Sequence, residues 1–403
     1  MPRVLVIGGG AAGMMAALTA AENKENHVTL LERQQRLGRK LLSTGNGRCN
    51  LTNLNASVAN YHGEDPDFVL PALRQLPPEA ALALFYDFGL LTVAEESGRV
   101  YPLSDSAASV LDVLRFQIQQ RGVEQLTASP AREISCEKGG FVVRCDERSV
   151  RADRLIVACG GAAGAKLGGV MDGYELLRPL GHRRTKLYPA LVQLVTDNEY
   201  PRALKGVRAD AALRLLRGER AVGQTVGEVQ FSERGVSGPA AFELSRLAAT
   251  EGEGLCLSLD LLRRQSCEEL LRMLRQRRES LPELESGELL TGLLQNRLGR
   301  MLMKYSGADR NKTCAALSDA ELSAVAAACK DFRLPVHGTE GFDQAQVTAG
   351  GLRTADFDSE TMQSRLVPGL YVCGELLDID GDCGGFNLQW AWASGRLAGR
   401  LLP

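Results

Sequence analysis

The chain predicts an α/β fold, a parallel nucleotide-binding sheet interrupted by an inserted β segment and a helical segment. Three observations lead there. A buried strand at the start runs straight into a glycine turn. Two later buried runs, from Arg154 and from Leu366, also end in glycine. The stretch between those two runs changes to alternating apolar patterning and then to leucine-rich helical patterning.

Val4 to Ile7 is apolar and β-branched, as a parallel strand covered on both faces requires, and Gly8-x-Gly10-x-x-Gly13 follows without a spacer. Gly8 permits the tight turn, Gly10 lets backbone N–H groups approach a pyrophosphate, and Gly13 lets the next helix pack close to the strand. That helix, Ala11 to about Glu22, presents a positive N-terminus to an anion. A second strand, His27 to Leu31, ends at Glu32, an acid about 20 residues past the glycines, where a ribose hydroxyl is accepted. Strand, glycines, helix, strand and acid in one unit read as a dinucleotide site. From Arg33 to Asn53, five basic residues and three glycines suit a loop laid along a polar cofactor, with Lys40, Asn46, Arg48 and Asn50 as donors beside Gly47.

From Pro66 to Gln120 the pattern is helical, with Leu82, Phe85, Tyr86 and Gly89 spaced for one face, and no chemistry is evident there. Val123 to Val150 reads as short strands with a hairpin turn at Lys138-Gly139-Gly140. The run from Arg154 to Gly164 lacks a full second fingerprint, so it is expected to return to the first sheet, with Ala158, Gly160 and Gly161 touching the same nucleotide. Pro189 to Asp260 alternates as a small β domain does, and Leu261 to Asp331 has helical spacing with many arginines. The cluster Arg275 to Arg278 reads as a solvated helix face. The boundaries expected are 1–187 for the first part of the nucleotide domain, 188–260 for the β insertion and 261–332 for the helical insertion. A return strand at 333–343 and the C-terminal part of the nucleotide domain, 344–403, complete the chain.

After Gly374 and Glu375 comes Asp378-Ile-Asp380-Gly-Asp382-Cys-Gly-Gly-Phe-Asn387, and then a helix from Leu388 to Leu401. The pair Gly384-Gly385 is expected to offer N–H groups at a positive helix end, which in an FAD protein faces the pyrimidine edge of the flavin. The three acids resemble a calcium loop, but the twelfth position is Gln389 rather than Glu, so no metal is expected.

The net charge of −2 over 403 residues gives no general attraction to nucleic acid or anionic lipid. Ten cysteines without a Cys-x-x-Cys pair and only four histidines indicate neither zinc nor a disulfide framework. No apolar run reaches the roughly 18 residues of a membrane span. A soluble, cytoplasmic protein is expected.

The N-terminal fingerprint, the loop Gly38-Arg-Lys-Leu-Leu-Ser-Thr-Gly-Asn-Gly-Arg-Cys-Asn-Leu-Thr-Asn, the segment Gln346-Val-Thr-Ala-Gly-Gly and the tail from Gly374 to Gly395 together resemble a bacterial flavoprotein family. Its members are described as aminoacetone oxidase-like FAD-binding enzymes and as bile-acid dehydro-intermediate reductases. The resemblance implies a Rossmann-like, two-dinucleotide-binding FAD domain, an inserted β-barrel-like domain and a small helical domain. It places non-covalent FAD against Gly8, Gly10, Gly13, Glu32, Arg33, Lys40, Asn46, Gly47, Arg48, Cys49, Gly374, Glu375, Gly385, Asn387 and Leu388. Ala131, Ala158 and Gly160 join that set. The family often has glycine where Asn46 stands and tyrosine where Phe386 stands.

The expected activity is transfer of a hydride through flavin N5 to or from a small organic molecule. NAD(P)H is the expected transient donor and a conjugated enone the expected acceptor, with oxygen-dependent amine oxidation as the alternative. Arg48, Asn50, Tyr188 and Asn387 are the candidate catalytic residues. Cys49 is read as packed rather than as a redox thiol. An RNA-associated flavoprotein using the arginines at 263 to 278, and a flavin-bound redox sensor, are the readings from other classes.

Overall fold

Five parallel strands form the central sheet: β1 (Arg3–Ile7), β2 (His27–Leu31), β3 (Glu124–Leu126), β4 (Arg154–Val157) and β5 (Leu370–Val372), in the order β5-β4-β1-β2-β3. Ile7 pairs with both Leu31 and Val157, and Val157 pairs with Val372. In-register parallel pairing sends every strand out of the sheet at the same edge, so the glycine turns that follow β1, β4 and β5 come together although the sequence separates them widely. Val4 to Ile7 are all buried, as a sheet covered on both faces demands.

The computed structural model describes residues 1–403. Its first compact unit is Met1–Tyr188 with Ala345–Pro403, and its second is Pro189–Gln344. No helix is long and apolar enough to cross a membrane.

In the first unit, helix α1 (Ala11–Ala20) is buried on nearly all sides, which suits its alanine and methionine content. Helices α2 (Asp172–Leu177) and α3 (Phe386–Gly399) belong to the same unit. A Cβ on Gly395 would lie 2.4 Å from Ala12 O, and one on Gly399 would lie 2.5 Å from Ala16 O. Two glycines one turn apart therefore bring α3 against the backbone of α1, and the two helices run in the same direction. The strand pair expected between Val123 and Val150 is present as Ala131–Glu137 and Gly140–Cys145, extended by Ser149–Ala152.

The segment 66–120 is helical as expected except that two strands stand before and across the Tyr101-Pro102-Leu103-Ser104 stretch, where only an interruption between helices is expected. Thr92–Ala94 and Arg99–Pro102 form an antiparallel pair joined by Thr52–Asn53. Within the helix Pro78–Asp87 the buried face is Ala81 and Phe85, continued by Phe88 just beyond the helix end, while Tyr86 is 66% exposed. Phe85 packs edge-on against Trp392 at 5.0 Å, and that contact sets the rotation of the helix.

In the second unit, Leu194–Thr196, Arg208–Arg217, Arg220–Phe231, Gly235–Ser237, Leu255–Asp260 and Phe332–Thr339 close into an antiparallel barrel. A helix, Pro239–Glu251, lies between two of these strands in a stretch that reads as β from the sequence. Helices Cys267–Ser280, Asn296–Tyr305 and Asp319–Lys330 follow, two of them opened by capping boxes at Ser266/Glu269 and Ser318/Glu321. Their buried leucines share one core with the barrel. The helical segment is therefore part of the barrel unit rather than a third compact unit.

Candidate cofactor site

The site is built where β1, β2, β4 and β5 end. Gly8, at φ +109, brings its Cα so close to the loop after β4 that a Cβ would meet Ala158 O at 2.3 Å. A Cβ on Gly13 would lie 1.8 Å from Gly8 O, so α1 must begin with glycine against the turn. Gly10 differs, because nothing lies within 4 Å of its Cβ position. The first bond of the α1 ladder is Met14 N to Gly10 O at 2.9 Å, which leaves the N–H groups of the first turn without helical partners beside that open face. Gly47 and Gly160 likewise have nothing within 4 Å.

Glu32 is buried at the end of β2, with Oε2 accepting from Gly9 N and Oε1 from Gln34 N, both at 2.7 Å. A carboxylate has about four lone-pair positions, so two remain for ribose hydroxyls. Glu375, after β5, accepts from Lys40 Nζ at 2.7 Å and from Thr348 N at 2.9 Å. Thr348 in turn accepts from Ala163 N at 2.9 Å and ties the β4 loop to the Gln346–Gly351 segment. Arg33 reaches Asp172 at 3.3 Å. Asn46 takes φ +56 between Gly45 at +57 and Gly47 at +87, a left-handed run that glycine adopts without strain.

The start of α3 is the second pole of the site. Ala12 is the second residue of α1 and faces Gly395, the tenth of α3, so α3 begins about 12 Å upstream of the α1 start along the shared axis. Two positive helix ends separated in this way fit an extended ligand with an anion near one end and an electron-accepting ring near the other. The donors at the second pole are not the expected ones. With the Asn50 amide in the orientation that satisfies both of its polar atoms, it accepts from Gly385 N at 3.2 Å and donates to Thr52 O at 3.1 Å. Gly385 N–H is thus engaged, and the N–H groups left without helical partners begin at Phe386 and include Leu388. Trp390 Nε1 donates to Gly374 O at 3.1 Å, and Ser394 Oγ accepts from Gly374 N at 3.0 Å, which joins α3 to the turn after β5.

The four candidate catalytic residues are differently placed. Arg48 stacks over the Tyr101 ring at 4.0 Å, pairs with Asp105 and reaches Glu95 at 3.5 Å. Asn50 braces the α3 corner. Asn387 is occupied entirely by its own turn: Oδ1 accepts from Gly381 N at 2.9 Å, and Nδ2 donates to Gly381 O at 2.7 Å and Asp382 O at 3.2 Å. It holds the turn and is not a free catalytic amide. Tyr188, the last residue of the first segment of its unit, has Lys186 Nζ 4.8 Å from its ring centroid. Cys49 is fully buried, and burial pushes its thiol up to about 12, so it carries no thiolate near neutrality. Ala131, also buried, sits at the head of its strand opposite Cys145.

Sequence reading missed several groups. Arg99, Tyr101 and Glu95 lie in the stretch expected to hold no chemistry, yet a Cβ on Gly384 would come 3.0 Å from Arg99 Nε. Gln389 is fully buried, accepting from Thr52 Oγ1 and donating to Leu76 O, each at 2.6 Å. A polar residue in the apolar register of the last helix was the available signal for it. Asp382 and Asp378, from the calcium-like loop, bind His62 Nε2 at 2.8 Å and Glu64 N at 3.1 Å.

A model of the HI0933-like protein Rossmann domain matches residues 2–401. The chain is 39% identical over 404 residues to a 3-dehydro-bile acid delta(4,6)-reductase of Clostridium scindens, covering 99% of this chain and 98% of that protein. It is 29% identical over 400 residues to a ribosomal RNA dihydrouridine synthase of Haemophilus influenzae, covering 97% and 96% respectively. Among solved structures, a flavocytochrome c3 fumarate reductase in its open conformation aligns with a TM-score of 0.49 at 15% identity, over 99% of this chain and 78% of that one. The open glycine turn, the acid after β2 and the paired helix ends fit FAD, and the chain belongs to the HI0933-like family of FAD-dependent oxidoreductases.

Proposed function

We propose that the protein is an NAD(P)H-driven reductase of a small molecule whose carbon–carbon double bond is conjugated to a carbonyl. The observation that carries this reading is the full-length 39% identity to the bile-acid reductase. The activities for which both relatives are named support it chemically. A delta(4,6) 3-dehydro steroid is a conjugated ketone, and dihydrouridine is uridine whose ring double bond, conjugated to a carbonyl, has been saturated. The shared chemistry is reduction of an electron-poor double bond, whereas amine oxidation runs the other way.

Bound FAD supplies the two-electron chemistry. The chain's own residues bind and orient it: the α1 turn takes the pyrophosphate, Glu32 the ribose, and the Lys40–Glu375 pair lines the stretch between the poles. Only one complete fingerprint is present, so the nicotinamide donor docks transiently and shares the open face with the acceptor, which implies ping-pong kinetics. Asp378 and Asp382 hold the tail to residues 62–64, which leaves little acidic cage for a cationic amine.

A small-molecule acceptor is preferred to RNA because the basic cluster is occupied internally. Arg263 pairs with Asp210 at 2.7 Å, Arg275 and Arg278 both pair with Asp319 at 2.8 Å, and Arg277 donates to Leu289 O and Thr291 O at 2.9 Å. The test is anaerobic reduction with NADH and NADPH, followed by stopped-flow reoxidation with a conjugated enone, a ribosomal RNA fragment and air. The enone is expected to be fastest. Oxygen as the fastest acceptor, together with reduction by an amine, would replace this reading with the oxidase, and reoxidation by RNA alone would replace it with the RNA enzyme.

A further inference from the structure

The half-buried arginines of the first unit are Arg48, Arg99, Arg115, Arg121 and Arg396. All but one are matched. Arg48 pairs with Asp105, Arg115 donates to Leu37 O at 2.9 Å, Arg121 donates to Leu18 O at 2.8 Å, and Arg396 pairs with Glu22 at 3.1 Å. Arg99 is the exception: its guanidinium makes no ion pair and no hydrogen bond, although Glu95 stands across the turn and donates its N–H to Arg99 O at 2.8 Å. The Glu95 carboxylate reaches Arg48 instead, at 3.5 Å. A cation taken part-way out of water without a counter-charge loses hydration that nothing in the protein replaces.

Arg99 lies directly at the second pole of the cofactor site. Its strand pairs with Thr52–Asn53, with Asn53 opposite Arg99, and Asn53 Nδ2 donates to Gly384 O at 2.8 Å. A Cβ on Gly384 would lie 3.0 Å from Arg99 Nε and 3.6 Å from its Nη2, so the guanidinium itself abuts the turn that opens α3. The polar groups around it are donors or cations. Asn53 Nδ2 is 3.6 Å from the same Cβ position, Arg48 stacks on Tyr101, two residues along the strand from Arg99, and α3 adds the positive end of its dipole. Glu95 and Asp105 are committed to Arg48, so no acid of the protein is left for Arg99. Arg99 also keeps part of its surface in water, as a group that receives an exchanging ligand must.

We propose that Arg99 binds the acceptor: its guanidinium takes a carboxylate, so the conjugated compound reduced at this site is an acid. A guanidinium fork meets a carboxylate through two parallel hydrogen bonds and fixes its orientation. This assignment rests on the reductase reading, and binding and turnover are measured separately so that either can fail alone. Oxidised holoenzyme of wild type, Arg99→Gln and Arg99→Lys is titrated with levulinate, a keto acid without a carbon–carbon double bond, and with methyl levulinate, each followed as a change in the flavin absorbance spectrum. Wild type is expected to bind the acid about tenfold more tightly than the ester. Arg99→Gln is expected to lose about that factor for the acid, to keep its affinity for the ester, and to retain its flavin and unfolding temperature, since the guanidinium holds nothing within the protein. Arg99→Lys recovers part of the loss, because the charge remains while the fork is gone. Wild type that binds acid and ester alike, or fails to bind the acid, overturns the proposal. So does an Arg99→Gln variant that binds both as wild type does, or one that loses flavin or stability, which would mark Arg99 as structural. Reduced wild type is then mixed with acetylacrylate, the unsaturated counterpart of levulinate. Binding through Arg99 without reoxidation defeats the double-bond reading and leaves Arg99 its ligand, whereas reoxidation without Arg99-dependent binding defeats the role of Arg99 and leaves that reading.

Discussion

Two helices in the first unit begin after glycines, and the two beginnings are built in opposite ways. Before α1, Gly8 and Gly13 are locked against backbone while Gly10 faces open space. Before α3, both glycines are closed in: a Cβ on Gly385 would lie 2.4 Å from Thr52 O, and one on Gly384 would lie 3.0 Å from Arg99 Nε. Asn50 then takes the Gly385 N–H. The same ingredients give an open cradle in one place and a braced corner in the other. A glycine before a helix marks close approach, and what approaches is a ligand at α1 and the protein's own chain at α3.

The comparison can be broken most severely at Gly13. Gly13→Ala forces a Cβ onto the Gly8 carbonyl, and it is expected to cost more than about 3 kcal/mol and to abolish FAD retention on purification. A stable, yellow variant would show that the α1 turn is not locked. Gly10→Ala should separate binding from folding. With nothing in the protein to meet, it leaves thermal unfolding of the apoprotein unchanged, but FAD affinity falls about tenfold or more because the methyl occupies the approach to the pyrophosphate.

Asn50→Ala sharpens the other side. It unpairs Thr52 O and Gly385 N and should lower stability by about 1–2 kcal/mol in denaturant titration. If the corner serves the chain rather than the flavin, the midpoint potential moves by less than about 30 mV, the equivalent of one net hydrogen bond in a two-electron couple. A larger shift would restore Gly385 as a flavin donor.

The smallest effect concerns the thiol beside the cradle. Burial raises Cys49 and Cys329 to about 12, so the folded state holds protons that the unfolded chain releases near pH 8.5. Their contribution to stability is complete below that pH and is lost as pH rises toward 12, which predicts a falling unfolding temperature above about pH 9. Iodoacetamide at pH 8 should label the exposed Cys136 and Cys267 and spare Cys49, as peptide mapping would report. Early modification of Cys49 would mean that the loop opens.

Local sequence determined the sheet and the first pole of the site. The β-branched run Val4 to Ile7, the glycine spacing and Glu32 lie within one short unit, where strand burial, turn geometry and helix packing are set by neighbours in the chain. The β character of the insertion was legible for the same reason, through alternation, and so was the helical segment, through periodicity, whereas its closure into a barrel was implied only by the family resemblance. What the sequence could not determine was which polar groups stay available. Gly385 looks like a free donor until Asn50, 335 residues away, is folded against it. Arg48 looks free until Tyr101, Asp105 and Glu95 close around it, and the helical pattern of 66–120 gives way at 92–102 because pairing with Thr52–Asn53 outweighs local preference. Hydrogen-bond capacity is consumed by whatever the fold brings near, and only the tertiary structure decides which donors are left for a ligand.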